Sequence, residues 1–424
     1  MFLLLNPLLD NLSTLVTKRP VSIFQKDFDT NTTRLKEQIE GRRILIVGVA
    51  GSLGSSTLFP ILTLGPREVC LVDLAENNLV ELLRSIRSSE NLFSAPVSIQ
   101  PIDYGSPVME RFLSSSSSFD LVLNFSAVKH VRSERDVVSL LHLFDTNLLK
   151  ADRFLGWLRR YGHGREGVFF VSSDKAANPA NLMGASKRVM EHLIFWHGTP
   201  EAEGRTLLCD HPAFGPPLPR ITTARFANVA FSDGSLPWGF LQRLAKSQPL
   251  SGPSDVKRFL LSLLEAGQLC TLASVLLADR HILVPRLDPD ADMVSFKDIA
   301  ETTLDFHQLR PHWCASDTEA RTFSSRDGEW PCFFSPSDTA GEKMFEEFIA
   351  DGERSVEVDL LKLLAVPYEA APPTTELRNL FLTLETLRVN AEESVTKADL
   401  VEAIRSVVPT LQHVDSEYSL DRKM

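Results

Sequence analysis

The chain has 424 residues, 43% of them hydrophobic, which is enough for a large core and about two to three domains. A formal net charge of −11, with no dense Lys/Arg run, excludes the basic footprint of a nucleic-acid binder. The five cysteines (Cys70, Cys209, Cys270, Cys314 and Cys332) are odd in number, scattered and without a Cys-x-x-Cys pair, so neither a disulfide framework nor a metal site is expected and a reducing cytoplasm fits.

The first nine residues are apolar, but Asn6, Pro7 and Asp10 interrupt the run and no basic segment precedes it. It is too short for a membrane span, which needs about 20 residues. It reads as a helix packing on the body or on a neighbouring subunit, within an N-terminal extension over 1–40 that adds a short helix at 31–39. From 42 to about 190, strands and helices alternate, the pattern of a parallel sheet covered on both faces. Strands are predicted at 43–47, 69–72, 97–99, 120–124 and 168–172, with a serine-rich loop at 114–118. A Pro/Gly-rich insertion at 198–219 precedes another strand at 221–225. Beyond 285 the chain is mixed and proline-punctuated, with helical patterns at 340–350, 376–389 and 396–407. The division predicted is an NAD-binding domain over 41–285 and a C-terminal part over 286–424 that forms a substrate lobe and a helical extension.

Between the first two strands lies Gly48-Val-Ala-Gly51-Ser52-Leu53-Gly54, and the second strand ends on Asp73, 19 residues after Gly54. Strand, glycine turn, helix, strand and acid open a dinucleotide-binding unit. The glycines let the backbone approach a pyrophosphate seated on the helix N-terminus. The carboxylate accepts from an adenosine ribose hydroxyl and repels a 2′-phosphate, which favours NAD, with NADP still open. The fold class predicted is α/β, a Rossmann-like doubly wound parallel sheet. In such a sheet ligands sit at the carboxyl ends of the strands, so Ser173, Asp174 and Lys175, which end the fifth strand, emerge beside the nicotinamide. Met183 and Lys187, four apart, share a helix face along the same crevice.

Over roughly 42–285 the chain resembles the extended short-chain dehydrogenase/reductases of the nucleotide-sugar 4,6-dehydratase branch. The resemblance rests on Val47 to Gly54, Asp73 to Leu79, Ile102-Asp103, Asn124 to Val131, Asn147, Ser173 to Lys187, Arg225 to Asn228, and Lys257-Arg258. It implies cofactor contacts at Asn77, Asp103 (near the adenine), Ser126 and Ala127, besides the glycines, Asp73 and Lys187. It implies substrate contacts at Lys129, His130, Asn228, Lys257 and Arg258, with the Arg225–Asn228 segment also holding the substrate diphosphate. Met183 replaces the usual Tyr, and a thioether cannot act as a base. The branch that dehydrates UDP-N-acetylglucosamine with retention at C5 carries Met there, so the resemblance implies that reaction.

In the reaction so implied, the C4 hydroxyl is oxidised, the C5 proton is lost, the C6 hydroxyl leaves, and hydride returns to C6. Lys175 is the expected C5 base, made neutral by burial beside Lys187, and Asp174 the acid at the C6 oxygen, with a raised pKa. Ser173 is expected to bond the C4 oxygen and Lys187 the ribose hydroxyls. The base for the C4 hydroxyl stays open between Asp174 and water relayed through Ser173. A nucleotide-sugar 4-epimerase and a non-catalytic NAD-binding scaffold are the alternatives. The expected partner is a UDP-sugar, with a homo-oligomer as the assembly.

Overall fold

The computed structural model describes residues 7–88, 94–129, 134, 136–324, 328–336, 346–390 and 394–413. Its strands are β1 (Arg43–Val47), β2 (Glu68–Val72), β3 (Val97–Gln100), β4 (Leu121–Asn124), β5 (Gly167–Val171), β6 (Ile221–Ala224), β7 (Asn228–Val229), β8 (Leu250–Pro253), β9 (Lys257–Leu261), β10 (His281–Pro285), β11 (Met293–Ser295), β12 (Arg310–Trp313), β13 (Glu329–Ser335), β14 (Val356–Glu357) and β15 (Leu363–Pro367).

Nine of them form one sheet in the order β14-β15-β10-β6-β5-β4-β1-β2-β3. From β3 to β10 the pairing is parallel, and β15 and β14 close the far edge antiparallel. Alternation assigns each strand's side chains to two cores. Leu45 and Val47 of β1 join Cys70, Val72 and Val122 on one face. Ile44 and Ile46 join Val69, Leu71, Leu121 and Leu123 on the other. A strand buried on both faces is apolar throughout, which is why these segments read as continuous hydrophobic runs. The order reverses between β1 and β4, and the crevice beyond their carboxyl ends is the ligand position of a doubly wound sheet.

A third core stands apart, built from Phe231, Phe240, Leu250, Leu260, Val294, Ile299, Leu304 and Cys332. It gathers the small sheets β11-β9-β7 and β12-β13-β8. The N-terminal helix Pro7–Thr17 docks here through Leu12 and Val16. It packs on the body of its own chain, as one of the two expectations had it.

The expected strands are all present, within about a residue at each end. Three expectations are corrected. The helix Pro107–Ser115 runs into the serine stretch, leaving only 116–118 as loop. Residues 346–350 are not helical, and 340–345 of that predicted helix lie outside the described residues. The C-terminal part also adds β14 and β15 to the main sheet, and its helix Thr374–Val389 buries Leu377, Leu380, Phe381 and Leu384 in the first core. Among the described residues no helix is long and apolar enough to cross a membrane.

Candidate functional site

The glycine turn follows β1 directly. Gly48 has φ +71°, and a Cβ there would lie 2.4 Å from the Ser126 backbone nitrogen. A Cβ on Gly54 would lie 2.5 Å from the Gly48 carbonyl oxygen. Only glycine permits this cradle, whose floor is the turn and whose wall is Phe125 and Ser126 after β4. Gly51 caps the helix Ser52–Thr63, so the first helical N–H groups, from Ser52 and Leu53 onward, face the crevice. Ser52 Oγ accepts the Asp233 N–H at 2.9 Å.

Asp73 ends β2 as expected, and its carboxylate braces the turn. One oxygen accepts the Ala50 N–H at 2.9 Å and the other the Ala75 N–H at 2.9 Å. Asn77 is exposed on the helix Glu76–Arg87. Asp103 accepts from Lys150 Nζ and from the Gly105 N–H at 2.9 Å. Burial pushes its carboxyl up, but the Lys150 hydrogen bond and the Gly105 N–H bring it below its ordinary value.

At the end of β5 the chain enters one turn of 3-10 helix, Asp174–Ala176, capped by Ser173, whose Oγ accepts the Lys175 N–H at 3.1 Å. Ser173 Oγ donates to Asp174 Oδ1 at 2.9 Å. Lys175 Nζ reaches both Asp174 oxygens, at 3.2 and 3.3 Å. Asp174 is buried and the Lys175 side chain is 36% exposed, so the pair opens outward through the lysine. Met183 and Lys187 both lie buried on the helix Leu182–Trp196. Lys187 Nζ donates to the Val171 carbonyl at 3.0 Å, and burial takes its pKa down to about 8 against the pull of Glu191. Asn147 holds this helix against the strand-four loop. It donates to Ser186 Oγ at 3.0 Å and accepts the Val128 N–H at 2.8 Å. Glu134, which the sequence did not single out, accepts the Met183 N–H at 2.9 Å.

The predicted substrate side is only partly brought together. Asn228 and Arg258 converge on one carboxylate, Glu346. Asn228 Nδ2 donates to Glu346 Oε1, Arg258 Nε lies 3.5 Å from the same oxygen, and the Phe259 N–H donates to Oε2 at 3.2 Å. Burial first, then the like charge of Asp174, raises Glu346 to about 7, with Arg258 pulling the other way. Glu346 lies in the segment Glu342–Phe348, where two adjacent acids between phenylalanines were the available signal. Lys257 and Lys129 are exposed; partial desolvation lowers the Lys129 ammonium below its ordinary value, with Asp233 pulling the other way. His130 lies outside the described residues.

Arg225 corrects an expectation. It is fully buried, so its guanidinium cannot hold a substrate diphosphate. It pairs with Glu191 at 2.8 and 2.6 Å and with Glu353 at 2.6 Å. Ser172 donates to Glu191 at 2.7 Å, and Arg188 pairs with both acids. This closed network fixes the ends of β5 and β6 beneath the site.

Two other features lie outside the expected set. A cavity of about 140 Å³ beside the glycine turn is lined by Asp10, Ala50, Ser52, Ser55, Phe231 and Asp233 among others, and burial raises Asp10 to about 7. At the end of β12, His312, Cys314 and Glu319 bring ligand atoms within 4.8 Å of one another. Glu319 there accepts the Ala315 N–H at 2.7 Å, and His312 stacks on Phe323 and faces Glu329.

Residues 44–367 match the family described as polysaccharide biosynthesis protein. The chain belongs to this family. Its similarity to the probable polysaccharide biosynthesis protein EpsC of Bacillus subtilis (strain 168) is 25% identity over 279 residues, covering 64% of this chain and 41% of EpsC. The chain thus aligns with less than half the length of that relative. The X-ray structure of Pen from Bacillus thuringiensis superposes with a TM-score of 0.60 at 21% identity, covering 82% of this chain and 98% of Pen. The crystal structure of UDP-glucose 4-epimerase with UDP-glucose from Thermotoga maritima gives 0.50 at 15% identity, covering 82% of this chain and 98% of the epimerase. These two likenesses establish the fold, the Rossmann-like sheet expected from the sequence.

Proposed function

We propose that this protein is a nucleotide-sugar 4,6-dehydratase that acts on UDP-N-acetylglucosamine with retention at C5. The observation that carries this reading is the Asp174–Lys175 pair on a capped turn at the end of β5. A dehydration needs an acid and a base within reach of adjacent carbons, and two contacting side chains of opposite type supply them. A 4-epimerase needs neither a C5 base nor a C6 acid.

The cradle fits NAD. Gly48 and Gly54 leave room that a Cβ would fill, and the N-terminus of the helix Ser52–Thr63 suits a pyrophosphate. Asp73 keeps the second lone pair of each oxygen for a ribose hydroxyl and repels a 2′-phosphate, favouring NAD over NADP. When bound, NAD supplies a reversible hydride acceptor. The protein's own groups do the rest. Lys187 orients the nicotinamide ribose. Ser173 bonds the C4 oxygen. Once the pair's shared proton passes from the Lys175 ammonium to the Asp174 carboxylate, the neutral Lys175 takes the C5 proton and the protonated Asp174 delivers one to the departing C6 oxygen. Met183 shapes the pocket without moving protons.

The test is NMR of the purified protein with UDP-N-acetylglucosamine and NAD⁺ in D₂O. A 6-deoxy-4-keto product with deuterium at C5 and gluco configuration is expected. Inversion at C5 would overturn the stereochemical part, and a C4 epimer would replace the dehydratase by an epimerase. No turnover with NAD bound would favour the non-catalytic scaffold.

A further inference from the structure

We propose that Glu346 is an internal competitor for the substrate's diphosphate, occupying its seat on Asn228, Arg258 and the Phe259 N–H until a nucleotide sugar displaces it. This rests on the nucleotide-sugar reading above and adds to it a residue that sets affinity.

The geometry is that of an anion site already filled. An amide, a guanidinium and a backbone N–H, from β7 and two successive residues of β9, converge on the two oxygens of one carboxylate. Such mixed donors, a guanidinium among them, also recognise phosphate oxygens. The strands that carry them are locked in register, Asn228 opposite Leu260, so the donors cannot separate to serve two anions at once. Glu346 arrives from a distant segment of chain and is itself buried. A diphosphate reaching the same donors must take them from this carboxylate.

Charge decides which anion wins. The charged groups acting on Glu346 are Asp174, which repels it, and Arg258, which holds it. With a midpoint near 7, the carboxylate is charged and seated above neutrality and protonated below it. A protonated carboxyl satisfies Arg258 poorly and yields the seat. The diphosphate diester of a nucleotide sugar keeps its charge throughout this range, so a pH dependence of its binding would belong to the protein. Binding should therefore weaken as pH rises through about 7.

Calorimetric titration of the full chain with UDP-N-acetylglucosamine at pH 6, 7 and 8 tests this, comparing wild type with Glu346→Ala and Glu346→Gln and using NAD⁺ binding as the check on folding. Wild type is expected to weaken by about tenfold from pH 6 to pH 8. Glu346→Ala is expected to bind about tenfold more tightly than wild type at pH 8, with no pH slope. Glu346→Gln, which keeps the shape without the charge, should also lose the slope. Weaker binding by both variants at pH 8, or a wild type without slope, would overturn the proposal and make Glu346 a support of the site. Arg258→Ala separates the two levels. If it binds the nucleotide sugar as well as wild type, or if no protein binds it at any pH, the nucleotide-sugar reading of this seat fails instead.

Discussion

Lys175 Nζ lies 3.2 Å from Oδ2 of Asp174, its immediate neighbour in the chain. Adjacent side chains on an extended strand point to opposite faces. Here the strand has ended, and the Ser173-capped turn swings both side chains to one side. Asp174→Asn and Lys175→Met are each expected to lower turnover by about 10²- to 10⁴-fold, the usual range for a lost acid or base. NMR turnover assays check this, with unchanged circular dichroism excluding misfolding. Wild-type rates in either variant would remove the pair from the chemistry.

Gly48→Ala tests the cradle. The substituted residue would need φ near +71° and a Cβ 2.4 Å from backbone. The left-handed conformation alone costs about 1–2 kcal/mol, and the clash adds to it. A lower Tm together with loss of NAD⁺ binding by fluorescence titration is the expected result. A variant that binds NAD⁺ normally would show that the turn does not carry the cofactor.

Arg225→Met should destabilise the fold by about 3–5 kcal/mol, because it leaves Glu191 and Glu353 buried without their cation. Urea unfolding gives the number. Replacing the two glutamates by glutamine in the same chain should recover part of the loss, which a simple cavity at Arg225 would not allow.

The same network sets an acid limit. Burial raises the Glu353 carboxyl, but its hydrogen bond to Arg225 and the charges of Arg225 and Arg188 bring it down to about 2. Its folded pKa lies below its unfolded one, about 4.3. The folded state therefore holds this group's stabilisation fully above the unfolded value and loses it as pH falls from about 5 to 2. Stability of Glu353→Gln, followed by thermal melts, should be flatter than wild type over that window.

Lys187 works in the opposite range. Its folded pKa, about 8, lies below the ordinary lysine value, so between about 8 and 10.5 the unfolded chain binds more protons than the folded one. Stability contributed through this residue rises with pH there. Lys187→Met should remove that rise while leaving the acid side unchanged, as melts across pH 7 to 10 will show.

The sheet was legible because β1, β2, β4 and β5 are apolar on both faces and the glycine turn interrupts the pattern at one place. The turn at Ser173 and the helix that carries Lys187 were legible because they follow the end of the apolar strand β5. The partners of Arg225 were not, since its burial is decided by Glu191 and Glu353, which pair with it across 34 and 128 residues of chain. Glu346 was hidden for the same reason, its contact with Asn228 spanning 118 residues. Helical spacing also misread 346–350, where the Phe348 carbonyl is drawn instead to Arg225 at 3.0 Å. Local pattern reports local structure, and these contacts are not local.

The antiparallel pairing of β15 on β10 has a consequence for biosynthesis. On the ribosome, β6 and β10 can pair long before residues 363–367 exist, so Ile282, Leu283 and Val284 wait at an open sheet margin. Nascent or prematurely terminated chains that stop in this interval carry a sticky apolar border, ready to join another copy edge to edge. Emergence of the final strand retires that hazard.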